Sequence, residues 1–335
     1  MVIDHSFYMQ LALQEAWKYQ GLTYPNPAVG CCVVGEHGEL LSVEAHHRAG
    51  EPHAEVNALQ QAYYKLTNDS YILALQDSAD IHTHLLSNHN GIFKNAKLYT
   101  TLEPCSHYGK TPSCANLIAE LGIKEVYVGS NDTNKKAANG SMILSMNDCM
   151  VYSEILKDEC DALLLPFIKT LSERFVFFKW AQRLNGTTDG GIISSQSSRK
   201  NVHAMRDVCD LLVIGGGTVR ADRPTLDARL VNGKAPDILI LSRSKDFDES
   251  IPLFSVAERK VFISDKLEKI NEYKNIMIEG SEKMYALTRN IVDYYLCYIA
   301  PALDGEEVIK FGTDKFTFLN VDKESEDIIA WMKRK

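Results

Sequence analysis

The chain has 335 residues, of which 45% are apolar and 24% charged, an ordinary globular composition that excludes a collagen-like, elastic or broadly disordered protein. At roughly 150 residues per domain the length favours two domains. Acidic residues outnumber basic ones by 44 to 36, for a net charge of −8, so no broad positive field exists to hold long nucleic acid. The first residues show no basic-then-apolar leader and no apolar run is long enough to span a bilayer. A cytoplasmic address is therefore expected, with neither nucleic acid nor membrane as a partner.

Phe7, Leu11, Leu13, Ala16 and Trp17 recur at helical spacing and predict a helix over 6–19, closed by Gly21, Pro25 and Pro27. The apolar runs at 28–34 and 40–43 flank a glycine-containing turn and predict a hairpin. A helix over 53–66 follows. The stretch between Leu59 and Lys97 is polar and rich in His and Asn; it reads as an Ω-type or partly helical surface excursion in which His82, His84 and His89 are solvated. Next come a strand at 97–102, a helix at 113–121 capped by Ser113 and stopped by Gly122, and a strand at 124–128. A helix over about 153–171 leads to a second series: strand 175–180, helix 198–208, strands 210–214, 237–241, 261–264 and 275–278, helix 281–291 and strand 294–299. Strands alternating with helices in both halves predict two layered α/β domains, 1–171 and 172–335.

Eight cysteines in this length are too few and too irregularly spaced for a disulfide framework, so clustered ones read as metal ligands or nucleophiles. His53-Ala54-Glu55 stands at the start of a predicted helix, and Pro104-Cys105 opens a loop that returns to Cys114 beside the predicted N-cap Ser113. One His and two Cys make three zinc ligands, and three leave the fourth tetrahedral position open for water, as in catalytic rather than structural sites. Two thiolates offset the ion's charge, so the water needs a nearby base, and Glu55 fits. In a fully formed helix Glu55 would lie roughly opposite His53, so the tripeptide must sit at the helix entrance. Cys114 in a first turn is favoured as a thiolate by the helix dipole. His-x-Glu followed by Pro-Cys and a second Cys matches the pattern of zinc deaminases, in which the Glu moves protons and water attacks an amidine-like ring carbon. The bland alternative makes His53 a surface residue and the two cysteines buried hydrophobes, and the whole pattern argues against it. Cys31, Cys32, Cys149, Cys160, Cys209 and Cys297 lack ligand spacing and read as structural.

Many deaminases of this kind space their cysteines as PCxxC, whereas eight residues separate Cys105 from Cys114. That loop, TLEPCSHYGKTPSC over 101–114, together with Asn26-Pro27, His46 and HAEV at His53, resembles the bifunctional riboflavin-biosynthesis deaminase/reductase family. The resemblance covers most of the chain, more weakly in the second half, where LVIGGGTVRADRPTLDARL over 212–230 is similar to the family's reductase motif. It implies a cytidine-deaminase-like three-layer α/β domain followed by a dihydrofolate-reductase-like α/β domain. The first would hydrolytically deaminate a diamino-ribosylamino-pyrimidinone 5′-phosphate, with Zn2+ on His53, Cys105 and Cys114, Glu55 moving protons, and Asn26, His46 and Lys110 binding substrate. The second would use NADPH to reduce the ribosyl chain to ribityl. There the resemblance implies that Thr218, Asp222, Ser242, Gly280 and Ala181 contact NADPH, and that Lys179, Arg206, Leu226, Arg229 and Glu279 serve the ribosylamino-phosphate pocket. Arg243 and Lys245, just past the strand ending at Leu241, suit the 2′-phosphate of NADPH.

The chain departs from the family at three places. Leu184-Asn185-Gly186 replaces Leu-Asp-Gly, and Ser194-Ser195 arrives early, so part of the expected nicotinamide wall is missing. Glu279-Gly280-Ser281 replaces Glu-Gly-Gly, which is tolerable only where the last position needs no positive φ. The 59–97 stretch is longer by roughly two dozen residues. Two competing functions follow: a deaminase whose C-terminal domain is degenerate or structural, and a nucleic-acid base deaminase or metal-dependent binding module. The acidic balance and the lack of interleaved basic and aromatic residues count against the last. The expected partner is a small pyrimidine ribosyl phosphate; the oligomeric state is not written in the sequence, and a homo-oligomer stays open.

Overall fold

The computed structural model describes residues 4–106, 112–132 and 139–335; Lys110 lies outside the described residues. The chain divides into two compact units, Met1–Ile168 and Lys169–Lys335. Among the described residues no helix is long and apolar enough to cross a membrane.

The first unit opens with α1 (His5–Trp17), capped by Asp4, whose carboxylate accepts the Phe7 N–H. β1 (Gly30–Val34) and β2 (Leu40–Ala45) pair as an antiparallel hairpin. Then come α2 (Ala54–Thr67), α3 (Ser78–Asn88), β3 (Lys97–Leu102), α4 (Cys114–Glu120), β4 (Glu125–Ser130), α5 (Gly140–Met146) and β5 (Met150–Tyr152). The described strands form a sheet in the order β2-β1-β3-β4-β5. Strand alternation sends Cys31, Val33 and Leu98 into a core shared with Val56 and Leu59 of α2 and Leu117 of α4. Tyr99 on the other face of β3 meets Tyr8 of α1, ring centroids 5.1 Å apart. Helix, sheet and helices thus make three layers.

The stretch between α2 and β3 corrects the sequence reading. It is partly helical, as expected, but no mere surface excursion: a 3-10 turn (Ser70–Ala74) and α3 insert Ile72, Ile81 and Leu85 into the main core, with Phe93 following. Asp77 starts α3 by accepting the N–H groups of Ala79 and Asp80. His82, expected in water, is buried, because it sits one residue after Ile81 on the inner side of α3. His84 instead pairs with Asp69 at 3.0 Å.

A long helix, α6 (Lys157–Ser172), leads into the second unit: β6 (Phe175–Arg183), α7 (Gln196–Val208), β7 (Leu211–Gly215), α8 (Gly216–Asp222), β8 (Asp237–Leu241), β9 (Val261–Ser264), β10 (Asn275–Glu279), α9 (Glu282–Thr288), β11 (Tyr294–Ala300), β12 (Phe316–Glu324) and β13 (Asp327–Arg334). The sheet order is β12-β13-β11-β6-β10-β7-β8-β9. From β11 to β9 neighbouring strands are parallel, and β13 and β12 close one side as an antiparallel hairpin that the sequence reading lacked. From β6 the chain moves outward to β7, β8 and β9, then returns to lay β10 between β6 and β7. Such a reversal opens a crevice at the carboxyl ends of the strands, where ligands of parallel sheets bind. Glu279, Gly215 and Leu241 stand at those ends.

If α3 is core, Leu85→Ala should lower the urea stability of the first unit by about 2–5 kcal/mol. A loss within about 0.5 kcal/mol, the usual effect of a surface change, would return the stretch to the surface.

Candidate functional site

Two helix starts build the first site. His53 is the N-cap of α2, with extended backbone, and Cys114 is the first residue of α4. Cys105 follows β3, and its carbonyl accepts from Ser113 Oγ at 2.9 Å and from the Ala115 N–H at 3.1 Å. His53 Nδ1 lies 3.7 Å from Cys105 Sγ and 3.4 Å from Cys114 Sγ. All three atoms lie within 4.8 Å of one another, and no other such cluster of metal-ligating groups occurs among the described residues. Zinc bonds of about 2.3 Å to sulfur and about 2.0 Å to nitrogen, at a tetrahedral angle, place N and S about 3.5 Å apart. Donor set and spacing both fit the ion. The two sulfurs are coupled: contact with Cys114 and His53 pushes the Cys105 thiol down, and Cys105 together with burial pushes Cys114 up.

Glu55, in the first turn of α2, is buried, and that burial pushes its carboxyl up to about 7. It shares the wall of a cavity of about 460 Å³ with His53, Cys105, Asn26, His46 and Glu103. Burial pushes His46 down to about 4, so its ring is neutral. With Nδ1 donating to the Pro52 carbonyl at 3.0 Å, Nε2 accepts from Asn26 Nδ2 at 3.1 Å. The structure therefore brings Asn26 and His46 together in the same wall as the ligand cluster.

Glu103 was missed by the sequence reading, although it directly precedes Pro104-Cys105. Its two carboxylate oxygens accept the N–H groups of Asp132 at 3.1 Å and Ser141 at 2.9 Å. This ties the ligand loop to the start of α5. There Gly140 is pressed so closely that a Cβ would fall 1.7 Å from the Pro104 carbonyl oxygen.

In the second unit Lys179 of β6 and Glu279 of β10 are register neighbours. Glu279 Oε1 accepts from Arg206 Nε at 3.0 Å and Nη2 at 2.8 Å, and Lys179 Nζ lies 3.9 Å from Oε2. Burial pushes Lys179 down. Burial alone would raise Glu279, but Arg206 and Lys179 outweigh it and hold the carboxyl below its usual range. Arg206 also reaches the Asp227 carbonyl at 3.4 Å, between buried Leu226 and exposed Arg229. Lys179, Arg206 and Glu279 thus form one network, with Leu226 and Arg229 on the adjoining turn.

The residues expected at the dinucleotide follow the strand ends. Ser242 comes just after β8, and a Cβ on Gly216 would lie 2.7 Å from its side chain; a Cβ on Gly217 would meet nothing within 4 Å. Backbone is therefore open to a ligand between β7 and α8, a cradle that fits a pyrophosphate. Thr218 lies in the same first turn of α8, while Asp222, at the far end of α8, is exposed. Gly280 follows β10, and Ser281 has φ −116, so its side chain is tolerated where the family carries a second glycine. Ala181 lies on β6 in register with Tyr298. Arg243 and Lys245 are exposed on the loop after β8, which Arg220 steadies by donating to the Asp246 carbonyl at 3.0 Å and stacking over Phe247.

The short loop after β6 is backed by a second segment. Asp189 accepts the N–H groups of Glu306 and Glu307, and the Ile309 N–H donates to the Gly186 carbonyl at 3.0 Å.

Residues 2–130 match the cytidine and deoxycytidylate deaminase zinc-binding region, and residues 174–330 match the RibD C-terminal domain. The riboflavin biosynthesis protein RibD of Aquifex aeolicus is 31% identical over 89% of this chain and 87% of its own, and that of Actinobacillus pleuropneumoniae is 29% identical over 90% and 85%. The crystal structure of a diaminohydroxyphosphoribosylaminopyrimidine deaminase/5-amino-6-(5-phosphoribosylamino)uracil reductase from Thermotoga maritima superposes with a TM-score of 0.63 at 26% identity, covering 98% of both chains.

Cys114→Ala should lower the zinc content, read by atomic absorption, more than about tenfold, since a ligand matters at least as much as an outer partner. Cys149→Ala should leave it unchanged. Equal retention by both variants would separate the cluster from the metal.

Proposed function

Because the chain belongs to the RibD family of riboflavin-biosynthesis enzymes, with a zinc-binding deaminase domain and a reductase domain that uses NADPH, we propose that His53, Cys105, Cys114 and Glu55 carry the deamination and that the Lys179–Glu279–Arg206 network serves the reduction. The reading rests above all on the convergence of His53 Nδ1 with the sulfurs of Cys105 and Cys114, with His53, Cys105 and Glu55 in one cavity wall. The substrate is a diamino-ribosylamino-pyrimidinone 5′-phosphate. Its ring loses ammonia first, and its ribosyl chain is then reduced to ribityl.

Bound zinc supplies an acidified water for attack on the amino-bearing ring carbon. Glu55, two residues from the histidine ligand, takes up the proton at its carboxylate and returns it to the departing amine. Asn26 and His46, hydrogen-bonded to each other, present a polar edge that orients the ring. Lys110 joins this set through its match to the family loop.

Bound NADPH supplies the hydride. Arg206 and Arg229 offer two permanent positive charges to the ribosyl phosphate, Leu226 supplies an apolar wall, and Glu279 fixes the direction of Arg206 and Lys179. Thr218, Ser242 and Gly280, near the carboxyl ends of the strands, border the dinucleotide together with Ala181 of β6 and Asp222 at the far end of α8. All eight cysteines are unpaired, which suits a reducing compartment, and we place the enzyme in the cytoplasm.

Glu55→Gln keeps the shape of the side chain but cannot carry the proton. Ammonia release should fall at least about 10²-fold, with zinc content unchanged. The same variant, given the deaminated pyrimidine phosphate, should oxidise NADPH at the normal rate. Undiminished ammonia release would remove Glu55 from the reaction.

A further inference from the structure

Between α8 and β8 the chain passes through Leu226 with φ +54, a left-handed conformation that side chains with a β-carbon rarely adopt. A residue is held there only when its surroundings over-determine it. Leu226 is buried, and the next residue, Asp227, is a junction. The Asp227 carboxylate takes Arg229 Nη1 at 2.6 Å and faces His203 Nδ1 at 3.8 Å, while its carbonyl accepts from Arg206 Nη1. The conformation of this turn therefore decides where Leu226, Arg206 and Arg229 stand.

One side chain holds the turn from a distant part of the chain. Arg259, two residues before β9, donates through Nη2 to the Thr225 carbonyl at 3.0 Å and to the Leu226 carbonyl at 2.9 Å. Its Nε and Nη1 are buried without a hydrogen-bond partner among the described residues. For fold stability alone a well-packed apolar side chain would serve as well as a half-buried, half-satisfied cation. What the guanidinium adds is a planar donor that grips two consecutive carbonyls and so fixes the peptide between them. Burial lowers its pKa to about 10, which leaves it charged at neutral pH.

We propose that Arg259 is a positioning residue of the reductase: by clamping the carbonyls of Thr225 and Leu226 it holds the left-handed turn that presents Leu226 and Arg229 to the ribosyl phosphate. The inference rests on the reading that Leu226 and Arg229 border that substrate. The hydrogen bonds of Arg259 go only to backbone of this turn, so its removal should weaken the pyrimidine phosphate and spare NADPH. Without the clamp, Leu226 relaxes toward negative φ and carries Asp227, with the anchor of Arg206, away from its place.

The full-length zinc enzyme is assayed with the deaminated ribosylamino-pyrimidine phosphate for NADPH oxidation, and with the diamino compound for ammonia release. Arg259→Ala should raise KM for the pyrimidine phosphate by about tenfold, the effect of losing charged hydrogen bonds. KM for NADPH and the rate of ammonia release should stay within about twofold. Arg259→Lys, which keeps the charge and can still donate toward both carbonyls, should recover part of the loss. Should the alanine variant fail to fold, Arg259→Gln is read in the same way. Arg229→Ala tests the underlying reading: an unchanged KM there would overturn the substrate assignment and the inference with it. A raised KM in Arg229→Ala with an unchanged KM in Arg259→Ala would overturn the inference alone. So would a rise in the KM for NADPH equal to that for the pyrimidine, because a merely structural loss spreads to both.

Discussion

The first unit is organised by one demand: an imidazole and two thiols, His53 standing 52 residues before Cys105 and 61 before Cys114, must meet at a point. Helix starts meet that demand. An N-terminus leaves N–H groups unsatisfied and carries a partial positive charge, so it welcomes a thiolate. The Cys114 N–H indeed points at Cys105 Sγ, 3.4 Å away. His53, as N-cap, keeps an extended backbone and turns Nδ1 toward the sulfurs, while Glu55 enters the first turn on the cavity side. The helix entrance thus resolves the conflict that an i, i+2 pair would face within a continuous helix.

Around this point the unit spends its buried polar groups on holding backbone. Glu103 grips both Asp132 and Ser141, Ser113 closes on the Cys105 carbonyl, and Gly140 lets α5 start against Pro104. The second unit solves a similar problem with charge. Glu279, at a strand end, is flanked by Arg206 and Lys179, so a buried carboxylate that would be costly alone is matched by two cations. The paired groups keep fixed directions, which suits the role proposed for them in receiving a phosphate-bearing substrate.

Much of this was legible in the residues, for physical reasons that also explain the failures. His53, Cys105 and Cys114 were readable because ligand chemistry restricts residue type and spacing, and the strands at 237–241 and 261–264 because parallel strands are continuous apolar runs. The stretch with α3 was not, because its core contribution rests on a few residues such as Ile81 and Leu85 set in a polar sequence. The hairpin of β12 and β13 was hidden similarly: Phe318 and Val321 are exposed on an edge strand, and Lys323 and Glu324 resemble a polar tail. Glu103 and Arg259 act on backbone groups brought near by the fold, and no local pattern announces such contacts.

The most direct test supplies the purified enzyme with the diamino-ribosylamino-pyrimidinone phosphate, with and without NADPH, and records ammonia release and loss of nicotinamide absorbance separately. Ammonia release in both conditions, and nicotinamide oxidation following it when NADPH is present, is the predicted result. Ammonia without nicotinamide oxidation would contradict the role given to the Lys179–Glu279–Arg206 network, and nicotinamide oxidation without ammonia would contradict the role given to the cluster at His53.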